Sequence, residues 1–147
     1  MSAAEIKFDF SQFNAAFQAF GEKATKAMGA ALYQEGNEII ASCVAKHVPV
    51  DMGPLASSGY TELPAIKGGD VSVTVGFGGT AAPYAAAVHE NPRAGKTGGR
   101  SPSGRPYKHW AKVGHWKYLE TSINEAASDF TSRVGVKFWD GIAQAMG

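Results

Sequence analysis

The sequence contains few of the residues that form covalent or membrane-embedded frameworks. Cys43 is the single cysteine among 147 residues, which excludes an intramolecular disulfide and suits a reducing compartment. No run approaches the roughly 18 apolar residues of a membrane span, and the N-terminus lacks the layout of a secretory signal. We therefore expect a soluble protein that is made and kept in the cytoplasm until any assembly takes place.

Motifs for phosphate binding and nucleophilic catalysis are absent or incomplete. Gly76 to Ala81 loosely fits a dinucleotide fingerprint, but no acidic residue follows about 20 positions later and no repeated strand–helix units surround it. The full phosphate-loop pattern G-x-x-x-x-G-K-[ST] is absent, because Glu90 occupies the position of its first glycine before Gly95-Lys96-Thr97, and no serine lies in a G-x-S-x-G elbow. Cys43 lies near the C-terminal end of a predicted helix, where the helix dipole disfavours a thiolate, so we predict a buried structural cysteine. We predict no enzymatic activity and no cofactor.

Charge is distributed unevenly along the chain, although the formal net charge is only +1. Residues 93–112, called the basic segment below, hold six of the 14 basic residues and no acid, which leaves eight basic against 13 acidic residues elsewhere. The six are Arg93, Lys96, Arg100, Arg105, Lys108 and Lys112. Such a segment usually meets an acidic protein surface or a phosphate backbone. Tyr107 and Trp110 lie among these cations and could stack on bases or anchor a protein contact.

The N-terminal third predicts an extended piece followed by a long helix. Ile6, Phe8 and Phe10 alternate with polar residues, which indicates a short strand or arm, with Ser11 as a helix N-cap. Apolar residues at spacings of three and four then predict one amphipathic helix, or two joined near Gly21, reaching about Lys46. Glycines inside this pattern, namely Gly21, Gly29 and Gly36, predict a kink, since each costs about 1 kcal/mol relative to alanine.

The middle of the chain predicts an antiparallel hairpin. Residues 58–63 are typical of a strand, Lys67–Asp70 of a turn, and Val71–Phe77 of a second strand with strict alternation. The apolar face of this sheet needs a cover, and the long helix is the obvious candidate. Residues 91–115 are rich in glycine, proline and serine, which predicts a long flexible loop.

From about Trp116 a second helical pattern begins, with a break predicted at Gly135. The prediction is therefore one α+β domain spanning residues 1–147: an antiparallel sheet covered by a long N-terminal helix and a C-terminal helix.

Histidines raise the alternative of a metal site. His89, Glu90, His109 and His115 could converge on zinc or iron, as in a small metal-dependent nuclease. No pair has the close spacing of a preformed site, so polar bonding of His89 and Glu90 at the mouth of the loop is the favoured interpretation. A nucleic-acid-binding module that uses the basic segment is the other alternative.

Three short segments carry a resemblance to a known family. They are Pro49-Val50-Asp51-Met52-Gly53-Pro54-Leu55, then Tyr84-Ala85 with Val88-His89-Glu90, then Lys117-Tyr118-Leu119-Glu120. In this order and spacing, over about residues 30–130, the chain resembles the tail-completion or head–tail joining proteins of tailed bacteriophages. The resemblance implies family-motif positions at Pro49, Asp51, Gly53, Leu55, Tyr84, His89, Glu90, Lys117, Leu119 and Glu120.

The resemblance also implies a role and partners. Such proteins are structural components of the virion neck, assembled in the host cytoplasm. They form a homo-oligomeric ring, typically a hexamer, which completes the tail and joins it to the DNA-filled head. The expected partners are other copies of the chain, the neighbouring head-closure or adaptor ring, the tail tube protein and genomic DNA in the channel. Closing a ring needs two different patches on each subunit, for which the sheet edges and the pair Phe138 and Trp139 are our candidates.

Overall fold

The fold is α+β, with helices packed on one antiparallel sheet, as the sequence predicts. The computed structural model describes residues 3–7, 13–50, 53–67, 70–80, 82–95 and 114–147. In chain order the described elements are β1 (Ala3–Lys7), α1 (Asn14–Phe20), α2 (Glu22–Lys46), α3 (Pro54–Ser57), β2 (Tyr60–Thr61), β3 (Ala65–Lys67), β4 (Asp70–Gly76), α4 (Ala85–His89), α5 (Tyr118–Ala127) and α6 (Phe130–Met146). None of the described helices combines the length and the apolar character needed to cross a membrane.

Strand β4 is the centre of the sheet. It pairs antiparallel with β1 on one side and with β2 and β3 on the other. The predicted strand over residues 58–63 is therefore wrong in extent, because β2 covers only Tyr60–Thr61, with one further bond from Glu62 N–H to the Thr74 carbonyl (2.8 Å), and a second short strand follows. Three residues separate Thr61 from Ala65, whereas two separate their partners on β4. The register therefore shifts by one residue, which places a β-bulge at Leu63–Pro64 on the edge of the sheet.

Helix α2 lies between the sheet and α6. Its buried residues include Met28, Leu32 and Ile39, and the three inward valines of β4 are at most 2% exposed. Gly29 and Gly36 lie one above the other on the face that meets the sheet, with Pro64 and Thr61 opposite them. Helix α2 runs through both positions without a break. The glycines instead allow a close helix–sheet approach. The break falls at Gly21 (φ +51°), which separates α1 from α2.

The C-terminal helical region is divided at a different point from the predicted one. Helix α5 ends at Ala127 and α6 begins at Phe130, so Gly135 lies inside α6 and the expected break there is wrong. Helix α6 packs antiparallel on α2, with Gly141 against Ala27. The ring of Phe138 packs against those of Phe13 and Phe17, with centroids 5.1 and 5.9 Å apart.

These contacts bury Phe138 completely. Its predicted role in an intermolecular patch is therefore wrong, whereas its neighbour Trp139 is 49% exposed.

One buried ion cluster joins α2 to α6. Glu35 is 1% exposed and accepts hydrogen bonds from Arg133 Nε (3.0 and 3.2 Å) and from Lys137 Nζ (2.9 Å). Burial is the largest single influence on Lys137 and opposes its charge, but the hydrogen bonds and negative charges of Glu35 and Glu38 together outweigh it and raise the pKa of the ammonium. Arg133 also donates through Nη2 to the carbonyl of Ala126 (2.6 Å), which fixes the end of α5. The carboxylate is thus buried with two cations rather than alone, as burial of a charge requires.

Candidate functional site at the root of the basic segment

The second and third motif segments converge where α4 ends and α5 begins. The N–H of Lys117 donates to the carbonyl of His89 (2.7 Å), and Lys117 Nζ lies between the carboxylates of Glu90 and Glu120. Lys117 is the one non-glycine residue with positive φ (56°) among the described residues. A non-glycine residue in the left-handed region is uncommon, and here the contacts on both its backbone and its side chain hold it in place.

His89 is the buried centre of this cluster. Its side chain is 0% exposed, its Nδ1 lies 3.0 Å from Glu90 Oε1, and its Nε2 accepts from the backbone N–H of Glu120 (3.5 Å). A carboxylate accepts and a backbone N–H donates, so the geometry assigns the neutral imidazole with its proton on Nδ1. Burial, followed by the positive charge of Lys117 among the neighbouring residues, lowers the pKa of His89 to about 4. The predicted polar bonding of His89 and Glu90 is confirmed.

Tyr118 ties the cluster to the core. Its hydroxyl donates to the carbonyl of Ala85 (2.8 Å), and its ring packs edge-on against those of Phe77 and His89. Burial raises the pKa of this hydroxyl well above its usual value. Cys43 Sγ donates to the carbonyl of Tyr118 (3.3 Å) and is fully buried, which confirms the structural role predicted for the thiol.

The first motif segment borders the same region. Helix α2 ends at Lys46, and Val48 and Pro49 are buried directly after it. Gly114 lies against the backbone of Val48 and Pro49 so closely that no Cβ would fit. Gly53 (φ +101°) is the N-cap of α3, with Pro54 at the first helical position and Leu55 buried beneath it. This is the position at which proline is preferred, because its missing N–H would lack a partner anyway.

The described chain on either side of residues 96–113 comes together at this corner. Gly95 (φ +76°) lies against the carbonyl of Gly114, and Ala94 is fully buried. Of the predicted flexible loop at residues 91–115, the stretch 91–95 consists of turns packed on the body, so the prediction is wrong for that part. Residues 96–113 lie outside the described residues, and so do the predicted contact residues Lys96, Arg100, Arg105, Tyr107, Lys108, Trp110 and Lys112. Arg93 is exposed at the root.

Two histidines form hydrogen bonds that connect the elements of this corner. His115 N–H donates to the carbonyl of His47 (3.0 Å), and the two imidazoles meet through His115 Nε2 and His47 Nδ1, 2.8 Å apart. His47 Nε2 continues to Glu125 Oε2 on α5, at 2.9 Å. The corner thus connects the end of α2, the return of the chain at Gly114 and the middle of α5. Sequence reasoning missed the pairing, since 68 residues separate the two histidines and no local spacing marks them.

The predicted family-motif residues therefore occupy two neighbouring clusters rather than one pocket. His89, Glu90, Lys117 and Glu120 form the first with Tyr118, and Pro49 belongs to the corner. Leu119 is buried in the core, Gly53 and Leu55 belong to α3, and Tyr84 is half-buried before α4. Asp51 lies outside the described residues. These contacts join the stretches of chain on either side of residues 96–113 to the body of the protein.

The described residues do not bring the candidate metal ligands together. His115 pairs with His47 and His89 with Glu90, and His109 lies outside the described ranges. Within those ranges no group of three or more His, Cys, Asp or Glu side chains is arranged to hold a metal ion.

Comparison of the chain with family models, with curated proteins and with solved structures finds no match in any of the three.

Proposed function

We propose that this protein is a structural component of the phage neck, which forms a ring that completes the tail and joins it to the DNA-filled head. The observation that carries the proposal is the convergence of the three motif segments. His89–Glu90 contacts Lys117, and Pro49 lies against Gly114, three positions before Lys117. Segments that are far apart in the chain are thereby brought to neighbouring positions.

The architecture supports the same proposal. The resemblance implies a helix, a corner, an antiparallel sheet, a variable segment and a last helical part, and the chain follows that order. The basic segment then leaves and rejoins a rigid corner, where it could reach DNA or an acidic neighbouring ring.

Exposed apolar side chains offer the two unlike patches that ring closure needs. Leu63 (78% exposed) and Ile66 (53%) project from the β2–β3 edge. Val136, Trp139 and Met146 form an exposed stripe at helical spacing on α6, a different element. Exposed apolar side chains that cluster in a patch mark contact surfaces more often than singly exposed ones do.

The test is electron microscopy of particles from a phage that lacks its copy of this gene, with the gene supplied again in trans. Filled heads beside separate tails would support the proposal. Overlong tails would assign the length-stopping ring, and tails of normal length the docking adaptor. Intact infectious virions without the gene product would refute it.

Two variants with a matched control sharpen this test. Trp139→Glu should fail to restore joined particles, because a charge in the α6 stripe opposes an apolar contact. Gln144→Glu, an equally charged change at an exposed position on another face of α6, should restore them. If both variants restored joined particles equally well, α6 would not be part of the interface.

The nucleic-acid-binding module remains the second candidate, because six cations without an acid favour phosphate. It predicts DNA binding whose affinity falls steeply with salt, and a shallower salt dependence for the double variant Arg105→Gln, Lys108→Gln. Absence of binding at low salt would exclude it.

A further inference from the structure

Two exposed apolar rows on different elements have similar lengths. The α6 row consists of Trp139 and Met146, which are seven residues apart and therefore about 10 Å apart along a helix. The edge row consists of Leu63 and Ile66, three residues apart on the β2–β3 edge, which is about 10 Å along an extended chain. Each of these four side chains is at least 49% exposed. Each row therefore has the length to cover the other.

The edge row has a charge of opposite sign at each end. Glu62 directly precedes Leu63, Lys67 directly follows Ile66, and both charged residues are exposed. Asp70 lies opposite Lys67 on β4, one strand further from the edge. The edge row therefore has an acidic end at Leu63 and a basic end at Ile66.

The α6 row also has one charge of each sign. Lys23 Nζ lies 3.8 Å from Met146 Sδ, and Asp140 directly follows Trp139. The α6 row therefore has a basic end at Met146 and an acidic end at Trp139. All four charged residues at the ends of the two rows are exposed, and no ion pair within the described part of the chain involves any of them.

We propose that the α6 row of one copy packs along the edge row of the next copy, in the alignment that joins the acidic end of each row to the basic end of the other. The reverse alignment would place like charges together at both ends, so the charges set the direction of the contact. The contact is heterologous, and each copy keeps one row of the other kind for a further copy. This inference rests on the proposed function, because the neck ring is the assembly that the contact closes.

An isologous contact is the alternative for the same surfaces. Two α6 rows can also align acidic end to basic end across a two-fold axis. That contact would leave the edge row of both copies exposed, whereas the heterologous contact covers both rows at once. Covering both apolar rows favours the heterologous contact.

Cross-linking of cysteines placed within the two rows tests the contact in the purified protein. Ala65 in the edge row and Ala143 in the α6 row are exposed, so Ala65→Cys and Ala143→Cys keep all four large apolar side chains. The native Cys43 is buried and stays in place. With a short bis-maleimide, a mixture of the two variants should give dimers that contain one chain of each kind. Neither variant alone should give dimers, and a chain with both substitutions should give a ladder of multimers.

Two results would overturn the proposal. Dimers formed by Ala143→Cys alone would show that two α6 rows pair with each other. The control mixture contains Ala65→Cys and Gln144→Cys, whose cysteine lies on another exposed face of α6. A yield of mixed dimers no higher than in this control would show that the two rows do not meet.

Charge exchange at one end of the rows tests the alignment. Glu62→Lys in the Ala65→Cys chain, or Lys23→Glu in the Ala143→Cys chain, places like charges together. Each change alone should lower the yield of mixed dimers by roughly two- to fivefold, the range expected for an exposed ion pair. Both changes together should restore the yield, and a failure to restore it would contradict the alignment.

The two proposals fail in different ways. If mixed dimers form but a phage without the gene product is infectious, the contact stands and the neck role is refuted. If no mixed dimers form but the phage without the gene product yields separate heads and tails, the neck role stands and the contact is overturned.

Discussion

Two glycines in long helices should respond in opposite ways to the same substitution. Alanine has a higher helix propensity than glycine by about 1 kcal/mol, whatever the position. At Gly36 the added Cβ would lie 2.7 Å from Thr61 Cγ2 and 3.0 Å from Val75 Cγ1. At Gly135 its nearest neighbour would be Phe13 Cζ, at an ordinary 3.8 Å. The packing of α2 on the sheet, and not helix propensity, therefore decides the outcome at Gly36.

The magnitudes predict a clear separation. Overpacking typically costs about 1–3 kcal/mol, and Gly36→Ala should be near the upper end because the new methyl meets Thr61 and two β-sheet valines at once. After the propensity gain we expect a net loss of about 1–2 kcal/mol, against a gain of about 1 kcal/mol for Gly135→Ala.

Urea unfolding monitored by tryptophan fluorescence measures both variants under identical conditions. The gap of about 2–3 kcal/mol corresponds to roughly 5–10 °C in Tm for a chain of this size. If Gly36→Ala is as stabilising as Gly135→Ala, α2 does not pack as closely against the sheet at Gly36 as described. If Gly135→Ala is destabilising, the packing between α6 and α1 is tighter than described.

Three further predictions concern buried polar groups. Arg133→Met should lower the unfolding free energy by about 2 kcal/mol, less than for an isolated buried pair because Lys137 remains on Glu35; an effect below experimental error would mean that the cluster is solvated. Tyr118→Phe should cost about 1 kcal/mol in the same assay, since it removes the buried hydrogen bond from the hydroxyl to the Ala85 carbonyl; a neutral result would contradict that bond. His89 has a folded-state pKa near 4, below its unfolded value, so the unfolded chain binds the extra proton first. Stability should therefore fall as pH drops from about 6.5 towards 4, by on the order of 2–3 kcal/mol, and His89→Gln should flatten this acid limb.

Periodicity was sufficient to predict the helices and the central strand. Each pattern reflects a single buried face of one element: Val71, Val73 and Val75 alternate along β4, and apolar residues recur at helical spacing along α2. Such a face is a local property of the chain. The role of Gly29 and Gly36 could not be predicted in this way. A glycine is unfavourable in a helix considered alone, and only the sheet on the other side explains why it is there.

The site was predictable as a set of residues but not as a geometry. The motif segments named His89, Glu90 and Lys117, yet nothing local indicates that a lysine backbone donates to a histidine carbonyl 28 positions earlier. The pairing of His47 with His115 likewise depends on how the chain returns to the corner after residue 113. Contacts of that kind are fixed by tertiary packing, so they have no signature in spacing.

The contact between Gly95 and Gly114 has a consequence for how this protein can change over time. Because Gly95 and Gly114 are in contact, the body of the protein fixes the distance that the 18 residues between them must span. For a flexible connection, each doubling of its length costs only about 0.6 kcal/mol. We therefore expect the helices and the sheet to tolerate insertions, deletions and charge exchanges in residues 96–113. One scaffold could therefore acquire new binding specificities by replacing a single surface insert.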